Sequence, residues 1–367
     1  MTFRRDVDTS LLLLTISLTC IGVVMVYSSS AIMAAERFQD GFYFLKRQLL
    51  YTLVGFVLMA VTTYFNYKNW RKLAVIALLG SIALLALLFV PGFGVRVGGA
   101  MRWLHLLGLT VQPAELVKLT LVLYLAHSLT RKREKVRSFL KGYFPYMIVL
   151  GLLLGMLLKQ PDLGSAMIIS GVALSMLIVA GVRWRYILPT LLMSLPIVYF
   201  LIMQVDYRRR RIMAFLDPWD DPFDTGFQII QSLVAFGKGG VLGQGLGIGE
   251  QKLFYLPEAH TDFIFSVIGE ELGLVGTLII AALFLLLVLS GIRIALHCQD
   301  PFGRNLAFGL SILLGLEAFV NLAVCMGLLP TKGLALPFIS YGGTSLVVSL
   351  IAVGILLNIS TSPGSTK

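Results

Sequence analysis

Charge is scarce in this sequence. Of its 367 residues only 13% are Asp, Glu, Lys or Arg, about half of the roughly 25% usual in soluble chains. That shortage excludes a disordered chain and a cytosolic enzyme. Cysteine is nearly absent too. Cys20, Cys298 and Cys325 lie scattered in or beside apolar runs, which excludes a secreted disulfide scaffold and a cysteine metal motif. His105, His127, His260 and His297 are not spaced as metal ligands either. Acids are outnumbered, 19 against 30 basic residues, for a formal charge of +11. A nucleic-acid partner is excluded as the reason, because the bases gather in short loops between apolar runs, as the positive-inside rule expects of membrane proteins.

What remains is apolar. The residues AVILMFWYC make up 57% of the chain, the mean hydropathy is +0.87, and the apolar residues cluster in runs about 20 long, the length that crosses a bilayer as helix. The reading is an all-α polytopic membrane protein, one membrane domain over 1–367. Helices are expected near 11–31, 46–65, 73–91, 112–129, 143–160, 163–182, 186–204, 263–296, 305–329 and 342–360. Ten spans put both termini inside. The apolar run behind Arg4 and Arg5 then reads as an uncleaved first anchor. The basic loops Lys68–Lys72 and Arg131–Lys141 fall inside, and a long outer loop, 205–262, precedes the eighth span. A loop of that length between spans points to function.

Within that loop Arg208, Arg209, Arg210 and Arg211 suit either anionic headgroups or a substrate phosphate. Asp217–Pro222 reads as turns, and 227–236 as a short amphipathic helix in the membrane interface. The glycine-rich run Gly237–Gly249 lacks the strand, helix and Gly-Lys-Ser/Thr ending of a phosphate loop; it reads as a hinge or a close backbone approach to a ligand. Ionisable groups at membrane depth are functional hypotheses by default. Glu115 and Lys118, three apart, can pair on one helix face, and Glu317 with Asn321 suits an interhelical polar contact.

The segment Leu256-Pro-Glu-Ala-His-Thr-Asp262 gathers Glu258, His260 and Asp262 at the outer boundary. Thr261 or Asp262 could cap the next helix, but capping does not require the neighbouring acid and imidazole. Asp162, in the turn Gln160–Gly164, and the loop carrying Lys332 and Ser340 are outer-face clusters that could converge on it. Lys332, the one strong cation in that last loop, suits a diphosphate.

Six segments together resemble the SEDS family of bacterial peptidoglycan polymerases: Gln112-Pro-Ala-Glu-Leu, Lys159-Gln-Pro-Asp-Leu-Gly, Phe215-Leu-Asp-Pro-Trp, Leu256-Pro-Glu-Ala-His-Thr-Asp-Phe-Ile-Phe, Gly269-Glu-Glu-Leu-Gly and Leu336-Pro-Phe-Ile-Ser-Tyr-Gly-Gly. Pro330-Thr-Lys-Gly and Leu253–His260 resemble the division branch more than the elongation branch. The resemblance implies ten transmembrane helices, residence in the bacterial inner membrane, and polymerisation of lipid II with release of undecaprenyl diphosphate. It also implies a cognate class B penicillin-binding protein and other division proteins as partners. The family's essential acid falls on Asp262.

Inverting transfer needs a base for the acceptor hydroxyl and cations for the leaving diphosphate. Asp262 suits the first role; Arg210, Arg211 and Lys332 suit the second. Glu258, His260, Asp162 and Ser340 are expected to contact substrate. A divalent cation is compatible with this chemistry, yet no cluster of acids requires one. A lipid II flippase, favoured by Glu115 and Lys118 inside a span, and a non-catalytic division scaffold are the rival readings.

Overall fold

The computed structural model describes residues 7–97, 100–106, 109–250 and 259–362. A helix stands at each of the ten expected positions. They are α1 (Thr9–Phe38), α2 (Tyr43–Tyr64), α3 (Tyr67–Leu87), α4 (Pro113–Arg131), α5 (Phe144–Lys159), α6 (Leu163–Val179), α7 (Trp184–Met203), α10 (Ile264–His297), α11 (Pro301–Cys325) and α12 (Gly343–Ser360). Two more, α8 (Asp206–Leu216) and α9 (Phe227–Gly239), lie between α7 and α10. Among the described residues eight helices are long and apolar enough to cross a membrane. Of the other expected spans, α6 is apolar but only 17 residues long, and α4 buries Glu115 and Lys118.

The chain marks several helix starts with capping residues. Asp8, Asn66, Asp162 and Asp300 each accept a backbone N–H of the first turn, and Pro113 and Pro301 stand at first-turn positions where the lost N–H costs nothing. Asp300 and Pro301 explain why α11 begins four residues ahead of the expected 305. It ends ahead of the expected 329, before Gly327, whose φ of 69° stops a helix.

The all-α expectation needs a correction. Between α3 and α4 the chain forms a meander of β1 (Gly94–Val97), β2 (Ala100–Leu106) and β3 (Leu109–Val111). Both pairings are antiparallel, with Gly94 opposite Leu104 and His105 opposite Thr110. Strands this short, one of them bulged between Val95 and Arg96, leave too little alternation to read.

Helices α4, α11 and α12 form the centre; most of α11 and α12 is buried. Outer helices turn Leu53, Val57, Leu195 and Leu278 outward, an exterior suited to lipid rather than water. Helix α7, with Pro189 and Pro196 inside it, buries only Ile187.

Helix α10 is broken at Gly273 (φ 66°, ψ −163°). The glycine-rich run supplies what the break leaves unpaired. Gln244 and Gly245 donate to the carbonyls of Glu270 and Glu271, while Leu274 and Val275 donate to those of Gly240 and Val241, at 2.9–3.1 Å. Any side chain at Gly243 (φ 80°) would collide with the backbone of 271–273. The close approach expected of this run is therefore made to α10.

Candidate active site

Asp262 lies in the turn 259–263 that leads into α10. The helix takes Phe263 as its N-cap, with no side-chain capping bond, so the capping reading of Thr261 or Asp262 is overturned. The turn is instead held from α11 and from the loop before α12. The Asp262 carbonyl accepts Asn321 Nδ2 at 2.9 Å and the Cys325 thiol at 3.4 Å. Ser340 Oγ donates to Thr261 O at 2.5 Å, and Tyr341 N donates to His260 O at 2.9 Å.

The carboxylate stands beside cations. A Cβ built on Gly333 would lie 3.2 Å from Asp262 Oδ2 and 3.6 Å from an Arg102 guanidinium nitrogen, so both side chains come close to Gly333. Arg211 is within electrostatic reach of both Asp262 and Arg102. A cavity of about 280 Å³ is lined by Arg102, Asp162, Arg208, Arg211, Lys332 and Gly333 among others. Beside it a cleft of about 450 Å³ is lined by Arg210, Asp224 and Gln228 and shares Tyr207, Arg211 and Thr331 with the cavity.

Helix α8, which sequence reading did not anticipate, separates the four arginines. Arg208 donates to the carbonyls of Leu201 and Leu158 at 3.0 and 3.1 Å, tying α8 to α7 and α5. Arg209 is exposed, 3.8 Å from Asp206. Arg210 faces the cleft. Arg211 stacks over the Tyr207 ring at 4.4 Å and donates to Thr331 O at 3.0 Å. Burial lowers the Arg211 pKa; Tyr207 and Asp262 oppose that and Arg102 reinforces it.

Lys332 rests against Met167 Sδ. Burial pushes its ammonium down to about 8, the Arg211 charge adding to the shift and Asp162 opposing it. Among the described residues these partly exposed cations outnumber the acids beside them, Asp162 and Asp262, and are poised to gain from a polyanionic ligand.

Not every expected substrate contact faces these cavities. Asp162 lines the smaller one but is engaged as the α6 cap, accepting Ser165 N at 3.1 Å and Ser165 Oγ at 2.8 Å. Ser340 is buried and bonded to Leu336 N and Thr261 O, so it braces the Asp262 turn. His260 packs between Phe44 and Tyr341, ring centroids at 4.6 and 5.7 Å. Glu258 lies outside the described residues. Arg102 was missed; its one signal is a cation inside the short apolar stretch Met101–Leu104. It also donates to Pro161 O, which fastens β2 to the α5–α6 turn.

Deeper in the bundle, Glu115 and Lys118 pair at 2.8 Å as expected. Lys118 also pairs with Glu317 of α11, and all three are buried. None of them lines either cavity. Among the described residues no three His, Cys, Asp or Glu come together as a metal site.

The family model for FtsW, RodA and SpoVE, described as "Cell cycle protein", matches residues 8–364. The chain is 60% identical over 354 residues to a probable peptidoglycan glycosyltransferase FtsW of Geobacter metallireducens, covering 96% of this chain and 94% of the relative. It is 40% identical over 359 residues to stage V sporulation protein E of Bacillus subtilis, covering 98% of each. Among solved structures it is similar to one described as "Structural coordination of polymerization and crosslinking by a peptidoglycan synthase complex", at 32% identity and TM-score 0.79, covering 96% of this chain and 97% of that one. It is also similar to the rod shape determining protein RodA of Thermus thermophilus, at 28% identity and TM-score 0.72, covering 97% and 96%.

Proposed function

The chain belongs to the family of FtsW, RodA and SpoVE, and from that membership we propose that it is a peptidoglycan glycosyltransferase of cell division that polymerises lipid II. The observation that carries this reading is Asp262 close to Gly333, which with Arg102, Arg211 and Lys332 lines the smaller cavity, although Asp262 itself does not line it. A carboxylate beside a cationic cavity is what inverting transfer from a lipid diphosphate requires.

Asp262 accepts the proton of the acceptor hydroxyl as that oxygen attacks the anomeric carbon. The bond to the diphosphate breaks, and the departing charge develops against Lys332, Arg211 and Arg102, with Arg210 at the neighbouring cleft. These side chains are set before reaction, so little reorganisation is needed as charge moves. A divalent cation arriving with the substrate would add to the same stabilisation.

The reading carries a membrane topology of ten spans in the bacterial inner membrane, both termini cytoplasmic, with 205–262 outside. It also carries a class B penicillin-binding protein as partner; polymerization and crosslinking are named together for the synthase complex this chain resembles. The flippase reading loses its supporting feature, because Lys118 is closed between two carboxylates and away from the cavities.

Glycan ladders from purified protein and lipid II, with the cognate partner present, test the proposal. Asp262→Asn is expected to lower polymerisation by about 10²–10⁴-fold, with thermal unfolding unchanged. Ladders of parental intensity from that variant would remove Asp262 as the base.

A further inference from the structure

Helix α11 carries three buried polar side chains one turn apart: Glu317, Asn321 and Cys325. A spacing of four puts them on one face. At one end Glu317 meets Lys118 of α4. At the other, the Cys325 carbonyl accepts Ser232 Oγ of α9 at 2.5 Å. Asn321, between them, spends its amide nitrogen on two main-chain carbonyls, Asp262 O at 2.9 Å and Leu334 O at 2.6 Å.

Those two carbonyls belong to the two segments that the proposed chemistry must keep in register. One carries Asp262. The other carries Lys332, whose carbonyl accepts Leu334 N at 2.9 Å. Neither carbonyl lies within a helix, so no helical ladder sets the gap between the segments. Two carbonyl oxygens drawn to one point repel each other unless a donor stands between them. A primary amide has two N–H groups on one nitrogen and no net charge, so it bridges them without placing an ion in the core. Loss of the Leu334 bond would strand a buried acceptor, and loss of the Asp262 bond would leave that carbonyl only the weaker Cys325 thiol, loosening the turn against the loop.

We propose that Asn321 is a positioning residue for glycosyl transfer: by holding both carbonyls on one nitrogen it fixes the distance between the Asp262 carboxylate and the Lys332 loop. This inference rests on the polymerase reading. Asn321 touches no reacting atom. Its effect belongs chiefly in turnover, since a displacement of about 1 Å at the base costs on the order of 100-fold, while Arg102 and Arg211, which are held by other carbonyls, still bind the diphosphate.

Asn321→Asp is the first test, because it keeps the volume and removes both N–H donors. With purified protein, its partner and lipid II, kcat is expected to fall on the order of 10- to 100-fold, with KM within about twofold of the parent. A protonated acid gives one donor back, so the deficit relative to the parent should widen as pH rises. Asn321→Ala supplies a second measurement. Combined with Asp262→Glu, it should cost less than the product of the two single losses, because both changes act on the placement of one carboxylate. Parental kcat in Asn321→Asp, a loss confined to KM, or multiplicative losses in the double variant would each overturn the inference and leave the polymerase reading standing. Absence of glycan from the parental protein would overturn both.

Discussion

Two groups of charge, one buried and one partly exposed, sit in this molecule and are built in opposite ways. Glu115, Lys118 and Glu317 close on one another in the bundle interior, with two carboxylates on one ammonium. Around the smaller cavity Arg102, Arg208, Arg211 and Lys332 collect with Asp162 as the acid of the lining, and that acid is already engaged by Ser165. The first group satisfies itself and holds α4 to α11. Among the described residues the second has more cations than acids, with Asp162 in its lining and Asp262 in reach of Arg211, which is the condition for taking up an anion. Burial alone therefore does not identify a functional charge; what matters is whether its partners are already present.

Breaking the closed group should have the largest effect on stability. Lys118→Met strands two buried carboxylates and is expected to cost about 3–5 kcal/mol, read as loss of detergent-stable protein and a lower unfolding temperature. Adding Glu115→Gln and Glu317→Leu removes the stranded charges and should restore most of that loss. Equal instability of the single and triple variants would show that the triad does more than pair its own charges.

The open group should respond in the other way. Lys332→Ala, and Arg210→Ala at the neighbouring cleft, are expected to leave the unfolding temperature within a few degrees while lowering kcat/KM. A charged hydrogen bond is worth about 1.5–3 kcal/mol, or on the order of 10- to 100-fold. Unchanged kcat/KM in both would misplace the diphosphate.

A pH series sharpens the contrast. The free ammonium of Lys332 titrates at about 8, so its charge is present below that pH and lost above it. KM for lipid II should climb by up to about tenfold per unit above pH 8, and Lys332→Arg, which stays charged, should flatten the climb. A climb of the same slope in Lys332→Arg would assign it to another group.

Gly333→Ala should give the smallest effect. Its methyl would stand 3.2 Å from Asp262 Oδ2, close enough to press on the carboxylate, and a severalfold fall in kcat with little change in unfolding is expected. Parental turnover would mean that the carboxylate moves aside without cost.

What the sequence disclosed follows from the range of each interaction. Apolar runs announce helices because the signal is local: α4 begins within one residue of the expected 112, while α11 begins at Asp300-Pro301, four residues ahead of the expected 305. Glu115 and Lys118 were legible as a pair because helical spacing alone brings them together. Glu317 is 199 residues from Lys118, so nothing local announces it as the third member. Arg102 was missed for a related reason: its meaning comes from Pro161 and Gly333, brought to it by a small sheet with too few residues to show a period. The four consecutive arginines became distinguishable only once α8 turned each to a different side. Asp262 was legible through its motif, while the carbonyl clamp that holds it uses the main chain and leaves no mark in residue identity.

The break in α10 bears on how the chain is made. Unpaired peptide groups in hydrocarbon cost several kcal/mol each, so a helix interrupted at Gly273 could not enter a bilayer alone without penalty. Its replacement partners, Gly240 to Gly245, precede the break in the chain and leave the ribosome before it. When the interrupted helix reaches the membrane, the backbone groups that complete it have already been synthesised. Order of synthesis thus protects a span whose own hydrogen-bond ladder is interrupted, and a permuted chain that delivered 240–245 after α10 would have to insert it with those groups unmet.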